Sequence, residues 1–236
     1  ADTPAPSIII DTAAPTLAIT SDKSALKAGE TATITFTFSE APVGFAAGDI
    51  VATNGTISNL QVTADTKVYT ATFTPAASLA SGNASITVAA ATYADAAGNN
   101  GGAGTPPPSI TIDTVAPTLA ISSDKSALKA GDTATITFTF SEAPVGFAAG
   151  DIVASNGTIS NLQVTGDNKV YTATFTAGVT SGNASITVAA ATYADAAGNS
   201  GGAATPTPSI TIDTVAPTLA ITSDKSALKA GDTATI

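Results

Sequence analysis

Apolar and polar residues alternate with a period of two over much of this chain. In the clearest segment, residues 31–40, one face carries Ala32, Ile34, Phe36 and Phe38, and the other carries threonine and serine. Alternation of this kind, rich in β-branched residues, is typical of a strand with one buried and one solvated face. The pattern therefore predicts β structure whose alternate apolar side chains form the core.

The same criterion predicts seven strands, A to G, before residue 113. Their approximate ranges are 16–21, 31–40, 49–53, 56–63, 67–74, 84–93 and 108–112. In strand D the apolar residues Ile57 and Leu60 are three positions apart, so strict alternation would place them on opposite faces. This change of face predicts a bulge near Ser58–Asn59. Asn54-Gly55 signals a tight turn, and no helix is predicted beyond a single turn within 45–49.

The chain also repeats itself. A segment that begins at Asp11 returns at Asp113 and again at Asp213. Residues 11–74 and 113–176 align without gaps and differ at only six positions. We therefore interpret the sequence as a window on a longer tandem array. The predicted parts are the end of a preceding repeat at 1–10 (strand G), whole repeats at 11–112 and 113–212, and the start of a following repeat at 213–236 (strands A and B).

Seven short strands in about 100 residues, with turn signals about every 8–12 residues, predict an all-β fold. Each repeat is expected to form one immunoglobulin-like β-sandwich of about seven strands. Successive sandwiches are expected to stack end to end. The marks of antibody domains are missing, because the sequence contains neither cysteine nor tryptophan.

Composition narrows the classes of function. The chain has 8 lysines and no arginine against 18 acidic residues, a net charge of −10, whereas nucleic-acid binding requires clustered basic residues. Without cysteine or histidine it lacks thiol nucleophiles, zinc–thiolate sites and the commonest general base. No apolar stretch approaches about 18 residues, so no membrane span is predicted. We expect no catalytic residues, no small-molecule substrate and no enzyme activity.

Several motifs resemble the bacterial Ig-like extender repeats of giant adhesins on the surface of Gram-negative bacteria. They are D-T-x-A-P-T-L, S-D-K-x-A-L-K-A-G-E/D-T-A-T-I-T-F-T-F-S-E, G-D-I-V, N-G-T-I-S-N-L and Y-A-D-A-A-G-N, and they extend over the whole chain. The resemblance implies an extracellular rod that carries a distal binding domain away from the outer membrane, for attachment and biofilm formation. It also implies calcium between domains.

The acidic residues of each repeat are predicted to gather at one end of its sandwich. In an antiparallel arrangement, the B–C, D–E and F–G loops lie beside the start of strand A. Clustered carboxylates repel one another, and Ca²⁺ takes six to eight oxygen ligands in irregular geometry. The alternative is that these residues cap their own turns. The predicted calcium ligands are Asp11, Glu40, Asp49, Asp95 and Asn99, then Asp113, Glu142, Asp151, Asp195 and Asn199, and finally Asp213.

The opposite end of each repeat carries lysines in the A–B loop. Lys23 or Lys27 is expected to pair with acids of the following repeat and so to orient neighbours, since exposed pairs contribute only about 0–1 kcal/mol. The expected partners are neighbouring repeats of the same chain, and identical chains in a filament or matrix. Two alternatives to a stalk stay open: an Ig-like module that binds a glycan or protein, and a filament subunit that exchanges strands.

Overall fold

The structure is a computed structural model that describes residues 8–236. Contacts divide the chain into two compact units. Within the described residues, the first unit comprises 8–119, 140–147 and 189–204, and the second comprises 120–139, 148–188 and 205–236. The prediction for the first seven residues lies outside the described residues.

The first repeat forms a β-sandwich of two four-stranded sheets, with strand orders β1-β3-β6-β5 and β2-β8-β7-β4. Neighbouring strands are antiparallel, except that β2 and β8 are parallel. The all-β, immunoglobulin-like prediction is therefore confirmed. The strands are β1 Leu17–Ser21, β2 Ala25–Lys27, β3 Ala32–Phe38, β4 Ile50–Ala52, β5 Gly55–Val62, β6 Val68–Pro75, β7 Gly82–Val88 and β8 Ser109–Asp113.

The second repeat has the same architecture, with sheets ordered β9-β11-β14-β13 and β10-β16-β15-β12. Its strands are β9 Leu119–Ser123, β10 Ala127–Leu128, β11 Thr133–Phe140, β12 Ile152–Ala154, β13 Gly157–Val164, β14 Val170–Ala177, β15 Gly182–Val188 and β16 Ser209–Ile212. One 3-10 helix precedes β4 at Ala47–Asp49 and another precedes β12 at Ala149–Asp151, so the single predicted turn is confirmed. Over residues 8–236, no helix has the length and apolar character needed to cross a membrane.

The core of the first sandwich consists of the alternating apolar side chains. Ile34, Phe36 and Phe73 are fully buried, because they face inward from the paired strands β3 and β6. Aromatic rings close one end of this core: the Phe38 ring lies 4.9 Å from the Tyr93 ring, in edge-to-face geometry. The period-two pattern thus identified the buried face of β3.

The sequence prediction missed one strand in each repeat. Ala25–Lys27, which the prediction placed in the A–B loop, is strand β2, which pairs in parallel with β8. Leu26 is only 3% exposed, so this short strand both buries a leucine and supplies hydrogen bonds to the edge of β8. A single apolar residue shows no periodicity, which is why the pattern could not reveal it.

Two further predictions concern strand ends and irregularities. The bulge in β5 is confirmed, because its pairing with β6 shifts between Ser58 and Gln61. Strand F was predicted to reach residue 93, but β7 ends at Val88. There the chain turns through Ala91, which has a φ of +63° and donates its N–H to the Gly101 carbonyl at 2.9 Å.

Residues 213–236 differ from their prediction as strands A and B, because they contain no strand. Asp224 and Thr235 still share a backbone hydrogen bond of 3.1 Å. In the first repeat β1 pairs with Ile34–Phe38 of β3, and of these five residues only Ile34 has a counterpart in residues 213–236, namely Ile236. These residues therefore hold too little of the second strand to form the ladder of hydrogen bonds that defines β1 and β3.

Candidate metal sites

Three acidic side chains converge at one place in each repeat. We call Asp11, Glu40 and Asp95 the first triad, and Asp113, Glu142 and Asp195 the second triad. In each triad, one carboxylate oxygen from every residue lies within 4.8 Å of the others. The structure therefore brings together six of the predicted ligands, which lie far apart in the sequence.

In each triad, the glutamate is positioned by two hydrogen bonds that join the linker to the end of strand β3 or β11. Ser39, which follows β3, donates its N–H to the Thr16 carbonyl at 3.0 Å, and its hydroxyl oxygen accepts the Thr16 N–H at 3.0 Å. Ser141 and Thr118 form the same two bonds in the second repeat. The next residue, Glu40 or Glu142, is thereby held beside the linker.

The aspartate after β7 lies in a loop of sequence D-A-A-G-N. Asp95 is 2% exposed, and its carboxylate accepts the backbone N–H of Asn99 at 2.8 Å and the side-chain amide of Asn99 at 2.7 Å. The hydrogen bond from the Asn99 side chain, aided by backbone N–H groups of the loop, holds the pKa of Asp95 below its ordinary value. The buried carboxylate is thus both ionised and fixed in direction.

The asparagine of the same loop also binds the linker. The Asn99 side-chain nitrogen donates to the Asp11 carbonyl at 3.2 Å, and that of Asn199 donates to the Asp113 carbonyl at 3.0 Å. The Asn199 side-chain oxygen accepts a backbone N–H. In this structure, therefore, the two asparagines orient the aspartates, and their predicted role as oxygen ligands stays a prediction.

The second triad places two negatively charged aspartates beside Glu142. Burial raises the pKa of the Glu142 carboxyl, and the negative charges of Asp195 and Asp113 raise it further. Asp113 is half-buried, whereas Asp11 of the first triad is exposed. Oxygen donors gathered in this way could hold a metal ion, because a hard cation offsets the repulsion between carboxylates.

The other predicted ligands lie outside the triads. Asp49 accepts the Ala46 N–H at 2.8 Å and Asp151 accepts the Ala148 N–H at 2.7 Å, in each case closing the 3-10 turn. Asp213 is exposed and accepts the Val215 N–H at 2.9 Å. Each of these carboxylates caps a local turn, which is the alternative role considered from the sequence.

A tyrosine that was not predicted to belong to the site supports the loop. The Tyr93 hydroxyl, at the start of the loop that carries Asp95, donates to the Gly102 carbonyl at 2.8 Å. Tyr193 donates to Gly202 at 2.9 Å, and burial raises the pKa of both tyrosines. The sequence signal was a Gly-Gly pair at a fixed distance after the tyrosine in both repeats.

Several solved structures are similar to this chain. The Escherichia coli adhesin FdeC is 17% identical, with a TM-score of 0.47 over 84% of this chain and 64% of that one. InvD of Yersinia pseudotuberculosis is 22% identical, with a TM-score of 0.36 over 90% and 64% of the two chains. Invasin, a bacterial integrin-binding protein, is 16% identical, with a TM-score of 0.41 over 84% and 40%. The chain thus spans less than two thirds of the length of each of these structures, and a search of curated proteins gave no match.

A sequence profile described as "Bacterial Ig-like domain" matches the chain twice, at residues 11–112 and at residues 113–212. Each matched range contains one of the two β-sandwiches and one of the acidic triads. The chain therefore belongs to the bacterial Ig-like domain family, of which it carries two tandem copies.

Proposed function

We propose that this chain is an extender segment of an adhesin on the bacterial cell surface, in which Ca²⁺ at the triads stiffens the array. The tandem copies of one domain family support a spacer role, since near-identical repeats add length without adding a new binding surface. The sequence motifs shared with adhesin extender repeats support the extracellular location. In this role the segment serves attachment and biofilm formation by positioning a distal domain.

The observation that carries the calcium proposal is the origin of the three carboxylates in each triad. Asp113 is the last residue of β8, where the linker to the second sandwich begins, Glu142 follows β11, and Asp195 belongs to the loop after β15. A cation bound by all three would join the linker to the sandwich. It would therefore limit bending where the linker meets the sandwich.

Calcium is the cation that suits these donors best. The triads offer oxygen atoms only, and Ca²⁺ accepts monodentate and bidentate carboxylates together with carbonyl and water oxygens. A transition metal would favour nitrogen or sulfur ligands, and the sequence contains neither histidine nor cysteine. Extracellular calcium sites typically have dissociation constants of about 10⁻⁴–10⁻³ M, which is the affinity that we propose here.

The test is thermal unfolding of the full chain, followed by circular dichroism, in EDTA and in millimolar Ca²⁺. A ligand that binds only the folded state raises the midpoint by mass action. Millimolar Ca²⁺ is about one- to tenfold above this dissociation constant, so each occupied site contributes about 0.4–1.4 kcal/mol and raises the midpoint by about 1–5 °C. The double variant Glu40→Gln with Glu142→Gln removes one carboxylate from each triad and should abolish most of that rise.

The matched control is Asp65→Asn with Asp167→Asn, which removes the same charge from turns outside the triads. This variant should respond to Ca²⁺ as the unmodified chain does. Equal midpoints for the unmodified chain in EDTA and in Ca²⁺ would contradict the calcium proposal. A rise that Mg²⁺ reproduces in full would contradict selectivity for calcium.

A further inference from the structure

A turn of the first repeat contacts a loop of the second repeat, and both belong to the first compact unit. The Lys27 side-chain nitrogen donates to the Gly198 carbonyl at 2.8 Å. The Ala28 backbone N–H donates to the Asn199 side-chain oxygen at 2.9 Å. We call Lys27 and Ala28 the donor turn, and Gly198 and Asn199 the acceptor loop.

The close fit at Gly198 supports a specific contact. A Cβ atom placed on Gly198 would lie 3.2 Å from the Lys27 nitrogen, whereas nothing lies within 4 Å of the corresponding point on Gly98. Gly198 also has a φ of +87°, a conformation that favours glycine. The lysine therefore packs directly over a backbone position where a side chain would interfere.

The two repeats provide an internal comparison, because their turn and loop sequences are the same. Lys27 is half-buried and Lys129 is exposed, and Asn199 is buried to 4% exposure whereas Asn99 is only half-buried. The sequence S-A-L-K-A-G surrounds both lysines, and both asparagines are the last residue of the sequence Y-A-D-A-A-G-N. The difference in burial therefore comes from the contact and not from the local sequence.

Both polar atoms of the Asn199 side-chain amide form hydrogen bonds. The oxygen accepts from Ala28, and the nitrogen donates to the Asp195 carboxylate at 2.7 Å and to the Asp113 carbonyl at 3.0 Å. A buried amide that loses such partners is costly, because each unpaired polar group keeps its desolvation penalty. The Asn199 side chain thus forms hydrogen bonds to the donor turn, to its own loop and to the start of the linker at the same time.

We infer that the donor turn and the acceptor loop are a docking pair by which one repeat recognises a copy of the D-A-A-G-N loop in the next. One end of each repeat supplies a lysine and a backbone N–H, and the other end supplies a carbonyl and an asparagine oxygen. The pairing is head-to-tail, so it fixes the order and register of neighbours. It goes beyond the proposed function, since it involves no cation.

The experiment is hydrogen exchange of the full chain, comparing the Ala28 amide with the Ala130 amide in the same molecule. Peptides of the two turns differ in mass because Glu30 replaces Asp132. A hydrogen-bonded amide exchanges slowly, so we expect Ala28 to exchange at least about tenfold more slowly than Ala130. The variant Asn199→Ala should raise the Ala28 rate to that of Ala130, and the matched variant Asn99→Ala should leave it unchanged.

Lys27→Met provides a second variant that keeps the apolar stem but removes the donor. It should accelerate exchange at Ala28 about two- to tenfold, whereas Lys129→Met should not. Equal rates at Ala28 and Ala130 in the unmodified chain would overturn the inference, as would equal effects of the two asparagine variants. The measurement is made in EDTA and again in Ca²⁺; failure of the calcium proposal appears as an unchanged melting midpoint, whatever the Ala28 rate.

Discussion

At the scale of single residues, the carboxyl group of Glu142 links the pH to the stability of the fold. Its pKa is raised first by burial and then by Asp195 and Asp113. Because the folded state favours the protonated carboxyl, this group contributes most to stability at acid pH. That contribution is lost as the pH rises through its folded pKa. A bound cation should reverse the preference by favouring the ionised form.

Glu142→Gln should therefore have opposite effects with and without calcium. In EDTA at about pH 7, we expect the variant to unfold about 1–3 °C higher, because it removes an unfavourable ionised carboxylate that is still partly solvated. Below about pH 4 the carboxyl is protonated and the difference should disappear. In Ca²⁺ at about pH 7, the variant should unfold lower than the unmodified chain. Melting curves at both pH values, with Asp167→Asn as the control, check this prediction.

At the scale of elements, the loop after β7 depends on the packing of a tyrosine against glycine. Tyr93 is 2% exposed, and it both packs under Gly101 and donates a hydrogen bond to Gly102. A Cβ atom on Gly101 would overlap the Tyr93 ring, whereas nothing lies within 4 Å of the same point on Gly102. The two adjacent glycines are therefore expected to tolerate substitution very differently.

Gly101→Ala should destabilise the first repeat by about 1–3 kcal/mol, the usual cost of overpacking. Gly102→Ala should change the free energy of unfolding by less than about 0.5 kcal/mol. Chemical denaturation followed by circular dichroism gives both values. Equal losses from the two substitutions would show that the ring does not set the path of this loop.

The elements also show what the sequence could and could not predict. Regular alternation predicted β3 and the bulge of β5, because a one-residue slip would move a whole face out of the core. It missed β2, where only Leu26 is buried, and it extended strand F past Val88 through an alanine-rich turn. The convergence of the triads was predictable from strand direction. The contact of Asn199 with Ala28 was not, because it depends on which side-chain atoms meet after folding.

At the scale of the whole molecule, the net charge of −10 opposes compaction by self-repulsion. At physiological ionic strength, sodium chloride largely screens such repulsion between exposed charges that lie more than about 8 Å apart. In EDTA, raising the salt from about 10 mM to about 150 mM should therefore raise the unfolding midpoint by a few degrees. This screening effect must be separated from cation binding at the triads.

Adding about 2 mM Ca²⁺ at constant ionic strength of about 150 mM should raise the midpoint again, because screening is then already present. The comparison uses melting curves of the same protein in matched NaCl and CaCl₂ buffers. If the second increment is absent, the apparent calcium effect is a general response to ionic strength. The Gln double variant described above should keep the first increment and lose the second.

Strand β8 has a further consequence when the chain is pulled. It is hydrogen-bonded on both sides, to β2 in parallel and to β7 in antiparallel register. A tensile force that leaves the first repeat passes along β8, and it loads the β2–β8 bonds in shear, so that they must break together. The last residue of β8 is Asp113, which is also a member of the second triad. Under the proposed calcium binding, the mechanical resistance of one domain and the cation occupancy of the next would therefore depend on the same residue.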